Sequence, residues 1–458
     1  MHIKELREDI LGVHEKVETL NGVKDYIFFD NAASAPALKS VYEKMEDVSK
    51  YYSNVHRGAG YKAYFSTEAF DEAREIVSEF VGAGDGDTVI FVKNATEALN
   101  KLARILSDRF NGGKVIVSEM EHHSNILPWK KHFDVVWWPV NDEGKLELTT
   151  LENILKEEKD NIKVVSVTGA SNVTGFVNPI HEIAKIAHKY NALISIDGAQ
   201  FVPHAKMIMD NGNKDEKIDF LSFSAHKIYS PFGSGALIGD KNLLDVNEPE
   251  CVGGGTILFV SKEETLWADF PEREEAGTPN IPGAINLALT LKRLNYFGME
   301  NLEKREHELS KYFLDKFNKL NDFKLLGKNR EEHYFSVFSF THKSLSPFLL
   351  ASILSVEEGI GVRAGCFCAH PYLTTIMNFS KEKVEEIKKD MLEGKIEKFP
   401  GAVRASLSFY NTEEEIDRFI NILEKIEKGE IDTSKYRYYK EYEAFFPENF
   451  KFKKPDIF

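Results

Sequence analysis

The chain has 458 residues, 42% of them hydrophobic and 29% charged, with a formal net charge of -15. That length exceeds one small core and suits a two-domain enzyme at roughly 150 residues per domain, and the acidic balance without a basic stripe excludes a nucleic-acid role, which draws on clustered Lys and Arg. No apolar run approaches the roughly 18 to 20 residues that cross a bilayer, and the three cysteines, Cys251, Cys366 and Cys368, are too few and too unevenly spaced for a secreted disulfide framework.

Met1 to Ile10 is mixed in charge, without the basic end and apolar middle of a signal peptide, so a cytoplasmic location is expected. Ile3, Leu6, Ile10, Val13 and Val17 recur at helical spacing and predict a helical segment over residues 1–20. Tyr26-Ile-Phe-Phe-Asp30 reads as a short strand that breaks at Asn31-Ala-Ala-Ser-Ala-Pro36. Strand and helix patterns then alternate, with strands predicted at 87–92, 114–118, 134–138, 163–167, 193–196, 220–223 and 235–239. This is the signature of an α/β domain with a mostly parallel sheet, in which ligands sit at the carboxyl ends of the strands. After about residue 290 long charged helices, 299–318 and 413–428, and short strands near 337–340 and 402–406 predict a smaller α+β domain. The highly charged 380–398 segment reads as a solvated helix. The Tyr- and Phe-rich tail from Tyr436 is expected to pack on a surface or a subunit contact. The expected division is 1–25 packing with the small domain, 26–290 as the large domain, 291–432 as the small one, and 433–458 as the tail.

The apolar run Phe220-Leu-Ser-Phe-Ser-Ala-His-Lys227 reaches a lysine just before the turn-rich Ser230-Pro-Phe-Gly-Ser-Gly235, which places Lys227 at the mouth of the sheet. A buried lysine is costly unless it forms an imine with an aldehyde cofactor and so loses its charge. Upstream, Ala192-Leu-Ile-Ser-Ile-Asp197-Gly-Ala-Gln200 is a strand that ends on a carboxylate. A lysine for the aldehyde and an acid for the ring nitrogen are the pair that pyridoxal 5'-phosphate requires. Lys93-Asn-Ala-Thr96-Glu follows a strand and opens a helix, where Thr96 fits a phosphate. Glu121-His122-His123-Ser-Asn125 also follows a strand, and an imidazole there can stack on a flat ring and pass protons near neutral pH; a surface histidine is the plainer alternative. Arg404 lies in an apolar strand and needs an anion, either a substrate carboxylate or a structural Asp or Glu.

Eight motifs between Phe29 and Asn411 share an order with one known family: Asp30-Asn-Ala-Ala-Ser, Asn54-Val-His-Arg-Gly58, Glu119-Met-Glu-His-His, Ser171-Asn-Val-Thr-Gly175, Asp197-Gly-Ala-Gln200, Ser222-Phe-Ser-Ala-His-Lys227, Glu275-Ala-Gly-Thr-Pro-Asn280 and Arg404-Ala-Ser. Together they resemble the class V aminotransferase family of fold-type I pyridoxal-phosphate enzymes, and within it the sulfur-mobilising cysteine desulfurases, close relatives of selenocysteine lyases. The resemblance implies a large domain with a mostly parallel seven-stranded sheet and a smaller α+β C-terminal domain. It implies Lys227 as the imine lysine and proton shuttle, Asp197 on the pyridine nitrogen, Gln200 on the phenolic oxygen and His122 stacked on the ring, assisting proton transfer. Thr96, Ser224 and His226 would bind the phosphate, joined by Thr278 from a second subunit, which implies a homodimer. Arg404 would hold the substrate α-carboxylate with Asn172 beside it, where Asn172 would also contact the cofactor.

In Arg363-Ala-Gly-Cys366-Phe-Cys368-Ala-His370-Pro, Cys368 resembles the desulfurase nucleophile, which takes sulfur from L-cysteine as a persulfide, leaves alanine, and passes the sulfur to an acceptor protein. A mobile, exposed thiol suits that chemistry. Cys366 stands where the family usually has another residue, so the segment also resembles the Gly-Cys-Phe-Cys of molybdenum-cofactor sulfurases. Which of the two carries the persulfide is left open. The connection to Arg404 is longer than in bacterial desulfurases, with an inserted stretch over roughly 372–399. No metal is expected at Cys366, Cys368 and His370, since zinc takes four ligands; a disulfide across so short a loop is strained. The same-family alternatives are a selenocysteine lyase, another carbon-sulfur lyase, an amino acid epimerase or an aminotransferase. A non-catalytic scaffold is the alternative of a different class, and the presence of Lys227 and Asp197 counts against it.

Overall fold

The computed structural model describes residues 3–56, 58–246, 248–328, 334–395, 397, 400–448 and 450–453. Its centre is a seven-stranded sheet of β1 (Asp87–Val92), β2 (Lys114–Ser118), β3 (Asp134–Trp138), β4 (Ile162–Thr168), β5 (Leu193–Asp197), β6 (Phe220–Ser224) and β7 (Gly235–Asp240), in the spatial order β1-β7-β6-β5-β4-β2-β3. Strands β2 to β6 pair in parallel, and β7 alone is reversed, antiparallel to both β1 and β6. Successive side chains leave a strand on opposite faces. Val89 and Phe91 therefore join one core with Phe70, Ala73, Val77 and Ala284, while Ile90 and Val92 join another with Ala98, Leu102 and Ile105. A sheet covered on both faces carries near-continuous apolar strands, and all five residues of β6 are buried.

The parallel register places Thr168 beside Asp197, and Asp197 beside Ser222. The chemistry-bearing residues thus collect along the carboxyl edge of the sheet, as the crossover geometry of such folds requires.

The C-terminal part is a four-stranded antiparallel sheet of β8 (Phe323–Leu325), β9 (Val337–His342), β10 (Arg363–Gly365) and β11 (Ala402–Ser406), in the order β8-β9-β11-β10. Alternation again assigns the faces. Phe338, Phe340, Val403 and Ala405 enter an aromatic core with Phe313, Phe317 and Phe419. Ser339 points the other way and donates to the Val173 carbonyl at 2.6 Å. Arg404 is the register partner of both Ser339 and Arg363, so it faces the large sheet.

Three features depart from or extend the sequence reading. Among the described residues of the first twenty, helix is confined to Ile3–Glu8, and Lys16–Thr19 pairs with Gly22–Asp25 as a hairpin; Met1 and His2 lie outside the described residues. The Asn21-Gly22 pair, which closes the Leu20-Asn21 turn with Gly22 at φ +97°, is a hairpin signal that the helical spacing of the valines concealed. The stretch read as an insertion, 372–399, takes up most of helix His370–Ile376 and all of helix Lys381–Leu392; buried Tyr372 anchors the first by donating to the Gly144 carbonyl at 2.6 Å. The tail forms a hairpin, Tyr436–Tyr439 with Ala444–Pro447, tied to the Pro347–Glu358 helix by Tyr436 Oη on Glu357 at 3.0 Å and by the Phe445 amide on Ser352 at 3.0 Å. Arg57 of the Asn54–Gly58 motif, residues 396, 398 and 399 of the charged stretch, and residues 449 and 454–458 of the tail lie outside the described residues.

Candidate active site

A cavity of about 280 Å³ opens at the carboxyl edge of the large sheet, and every site residue predicted from the sequence lines it except Thr278. Its phosphate-like end is built on the start of the Ala95–Phe110 helix. Asn94 caps that helix by accepting from the Glu97 amide at 3.0 Å, and Ser224 Oγ accepts from the Ala95 amide at 2.8 Å. Thr96 Oγ1 lies 2.8 Å from Ser124 Oγ. A helix N-terminus flanked by hydroxyls is a site for an anion, and His226 lines the same cavity.

The floor is set by β5 and β6. Asp197 is buried and accepts from the Ala199 amide at 3.0 Å; burial raises its carboxyl pKa while Lys227 opposes the rise. Lys227 lies deep in the molecule yet opens on the cavity, and burial lowers it from 10.5 to about 8 against the pull of Asp197. Gln200 anchors its amide nitrogen on the Ala32 carbonyl at 2.6 Å.

His122 departs from its expected protonation. The Ser124 amide donates to His122 Nδ1 at 3.1 Å, so the proton of the neutral ring sits on Nε2. Burial, with the positive charge of Lys227, lowers its pKa to about 3. The ring is neutral across the physiological range and suits stacking better than acid catalysis.

Arg404 is 2% exposed. Its Nη2 lies 3.1 Å from Asp30 Oδ1, its Nη1 donates to the Asn172 carbonyl at 3.0 Å, and its guanidinium carbon sits 5.0 Å from the Phe367 ring centroid. The structural ion pair weighed as an alternative is therefore present, with Asp30. Arg363 also binds Asp30, at 3.0 Å, while remaining half exposed on the cavity wall. Two guanidinium groups share one carboxylate, which leaves a net positive charge facing the cavity. Sequence reasoning missed Arg363 and Asp30 even though both stand in quoted motifs; the available signal was two charged residues at the edges of converging strands.

Glu121 was also missed. It is fully buried beneath the site, accepts from Asn125 Nδ2 at 2.7 Å and from the Thr168 amide at 2.9 Å, and meets the Ser118 hydroxyl. Burial raises its pKa from 4.5 to about 8.

The cysteine segment bends over the cavity. Phe367 and Cys368 both adopt φ +55°, a left-handed conformation that is costly for side-chain-bearing residues and held by its surroundings. Asn172 Nδ2 donates to the Phe367 carbonyl at 2.7 Å, and the His123 amide donates to the Cys368 carbonyl at 2.7 Å. Asn172 thus supports the loop, a task beyond the substrate-binding one expected of it. Gly175 makes its turn possible: a Cβ there would lie 2.5 Å from the Phe335 carbonyl oxygen. Cys368 is exposed and lines the cavity, whereas Cys366 is half-buried and does not.

Exposed Thr278 lies apart, in a second cavity of about 820 Å³ with Asn54, His56 and Gly277.

The residues present fit pyridoxal phosphate. Gln200 Oε1 and Arg404 Nε are buried without a hydrogen-bond partner among the described residues. An amine whose charge is disfavoured faces a buried carboxylate across a cavity that ends on a helix N-terminus. A mostly parallel seven-stranded sheet with this lysine and acid at its carboxyl edge defines a fold-type I pyridoxal-phosphate enzyme. The model of the aminotransferase class-V family matches residues 27–419, and the chain belongs to that family. It is 32% identical over 407 residues to a cysteine desulfurase of Haloferax volcanii, covering 87% of this chain and 88% of the relative. It is 34% identical over 442 residues to a cysteine desulfurase of Synechococcus elongatus, covering 94% of this chain and 64% of the relative. The apo structure of a cysteine desulfurase from Thermococcus onnurineus superposes with a TM-score of 0.80 at 32% identity, covering 93% of this chain and 98% of that one.

Proposed function

We propose that this chain is a pyridoxal-phosphate-dependent cysteine desulfurase that converts L-cysteine to L-alanine and takes the sulfur as a persulfide on Cys368. The observation that carries the reading is an exposed thiol, Cys368, on the wall of the cavity that also contains Lys227, Asp197 and Arg404.

Thr96, Ser224 and His226, with the helix N-terminus, would hold the phosphate; Asp197 would serve the ring nitrogen, Gln200 the phenolic oxygen and His122 the ring. When bound, the cofactor supplies an electron sink that acidifies the substrate Cα–H and loosens the bond to sulfur. Lys227 Nζ would hold the aldehyde of the bound cofactor and, once released, move the Cα proton, a task suited to an amine near pKa 8. Arg404 and Arg363, sharing Asp30, orient the α-carboxylate. Cys368 Sγ attacks the substrate sulfur: a sulfur–sulfur bond forms, the carbon–sulfur bond breaks, and the carbon left behind is protonated to give alanine.

The chain works as a homodimer, with Thr278 of one subunit reaching the phosphate of the other, and delivers its sulfur to an acceptor protein in the cytoplasm. Residues 26–290 act as the large domain and 291–432 as the small one, with 1–25 bridging to the latter. The Leu20 amide on the Val356 carbonyl at 2.9 Å supports that bridge.

The test is alanine and sulfide release from L-cysteine by the cofactor-loaded protein under reductant, beside Cys366→Ala and Cys368→Ala. Cys368→Ala is expected to lower alanine formation by at least about 10²-fold while cofactor binding persists. Unchanged alanine formation in that variant contradicts the assignment.

A further inference from the structure

Two thiols share one loop, and their surroundings divide the labour between them. Cys368 lines the substrate cavity; Cys366 packs beside the apolar cluster of Met120, Val173, Phe176 and Tyr372. Sulfur from a substrate in the cavity therefore reaches Cys368 first. The left-handed turn at Phe367 and Cys368 is closed by the Ala369 amide donating to the Cys366 carbonyl at 3.0 Å, which carries both thiols within one tight turn. Asn172 and His123 hold both carbonyls of that turn, which keeps the juxtaposition in place.

Building on the desulfurase reading, we infer that Cys366 is a second sulfur-carrying thiol that receives the sulfane sulfur from Cys368 inside the loop. The Cys366 sulfur attacks the terminal sulfur of the Cys368 persulfide. A bond forms between Cys366 Sγ and that sulfur, and the bond from Cys368 Sγ to it breaks. The electron pair stays on Cys368, which takes up the proton that Cys366 gives away. No oxidant or reductant is consumed, because the sulfane sulfur keeps its oxidation level as it moves. The transfer frees the exposed thiol for another turnover and stores sulfur on a half-buried one, away from small reductants. Burial raises the Cys366 thiol pKa, so Cys368 takes the substrate sulfur first and the attack by Cys366 is the slower step that follows it.

The experiment maps sulfur on the full-length, cofactor-loaded protein after L-cysteine without reductant, with alkylation, trypsin digestion and fragmentation mass spectrometry. Both thiols fall on the peptide Ala364–Lys381, where fragment ions separate them, and the Cys251 peptide is the internal reference. Substoichiometric L-cysteine is expected to label Cys368, and excess L-cysteine to label Cys366 as well, so that bound sulfane sulfur per chain is about twofold that of Cys366→Ser. Mapping in the wild-type chain needs no variant to fold. Sulfur on Cys368 with none on Cys366, or a Cys366–Cys368 disulfide with free sulfide, overturns the transfer and leaves the desulfurase reading standing. Absence of sulfur on both, with alanine still formed by Cys368→Ala, overturns both.

Discussion

Burial around Lys227 outweighs the attraction of Asp197 and lowers the amine to about 8. An ammonium cannot attack an aldehyde, so capture of pyridoxal phosphate by the cofactor-free protein follows the neutral fraction. The capture rate is expected to climb about tenfold per pH unit below about 8 and to level off above it, as a single titration demands. Stopped-flow absorbance from pH 6 to 9 measures this, and a flat profile contradicts it; Lys227→Ala abolishes the lysine-dependent absorbance. Lys227 and Asp197 were legible in the sequence because each ends an apolar strand, where a charge needs a reason. The pairing of Arg363 and Arg404 with Asp30 was not, since it joins residues more than 300 positions apart. The neutrality of His122 was not legible either, because it depends on burial of the ring and on the charge of Lys227, which is remote in sequence.

The cysteine loop is held at its far side by a pair of histidines. The His370 amide donates to His123 Nε2 at 3.2 Å, His370 Nδ1 lies 3.0 Å from the same nitrogen, and the rings stack with centroids 4.9 Å apart. A nitrogen that accepts a backbone N–H carries no proton, so His370 Nδ1 is the second donor. Removing the imidazole in His370→Ala deletes one hydrogen bond and the stacking, worth about 1 kcal/mol, or roughly a fivefold shift toward open loop conformers. Hydrogen exchange at the His123 amide, which donates to the Cys368 carbonyl, is expected to quicken by that factor while cofactor affinity holds; an unchanged rate removes the pair from loop control. Strand and helix alternation exposed the large sheet because each element is long and periodic. The N-terminal hairpin was obscured because Val17 fits a helical stripe as well as a strand, and the Leu20-Asn21 turn with Gly22 after it carries the deciding information.

At the scale of the whole molecule, stability and assembly each have a test. Glu121 is protonated in the folded chain up to about pH 8 but ionises near 4.5 when exposed, so the folded state binds the extra proton between those values. Its contribution to stability therefore falls as pH rises through that window, by at most about 1.4 kcal/mol per unit. Glu121→Gln removes this titration, and its thermal midpoint is expected to drop less than the wild type's between pH 5 and pH 8; equal drops contradict the assignment. Assembly turns on Thr278, which lies outside the cavity containing Lys227. If it serves a partner's phosphate, a mixed dimer of Lys227→Ala and Thr278→Ala chains concentrates both lesions in one site and leaves the other intact. Random pairing of equal amounts then restores about a quarter of the wild-type high-affinity sites, since half the dimers are mixed and each has one good site. If Thr278 serves its own chain, every site in the mixed dimer keeps one lesion and nothing is restored. Cofactor titration of the co-refolded mixture, with sedimentation to establish the dimer, separates the two, because recovery can arise only where residues of different chains meet.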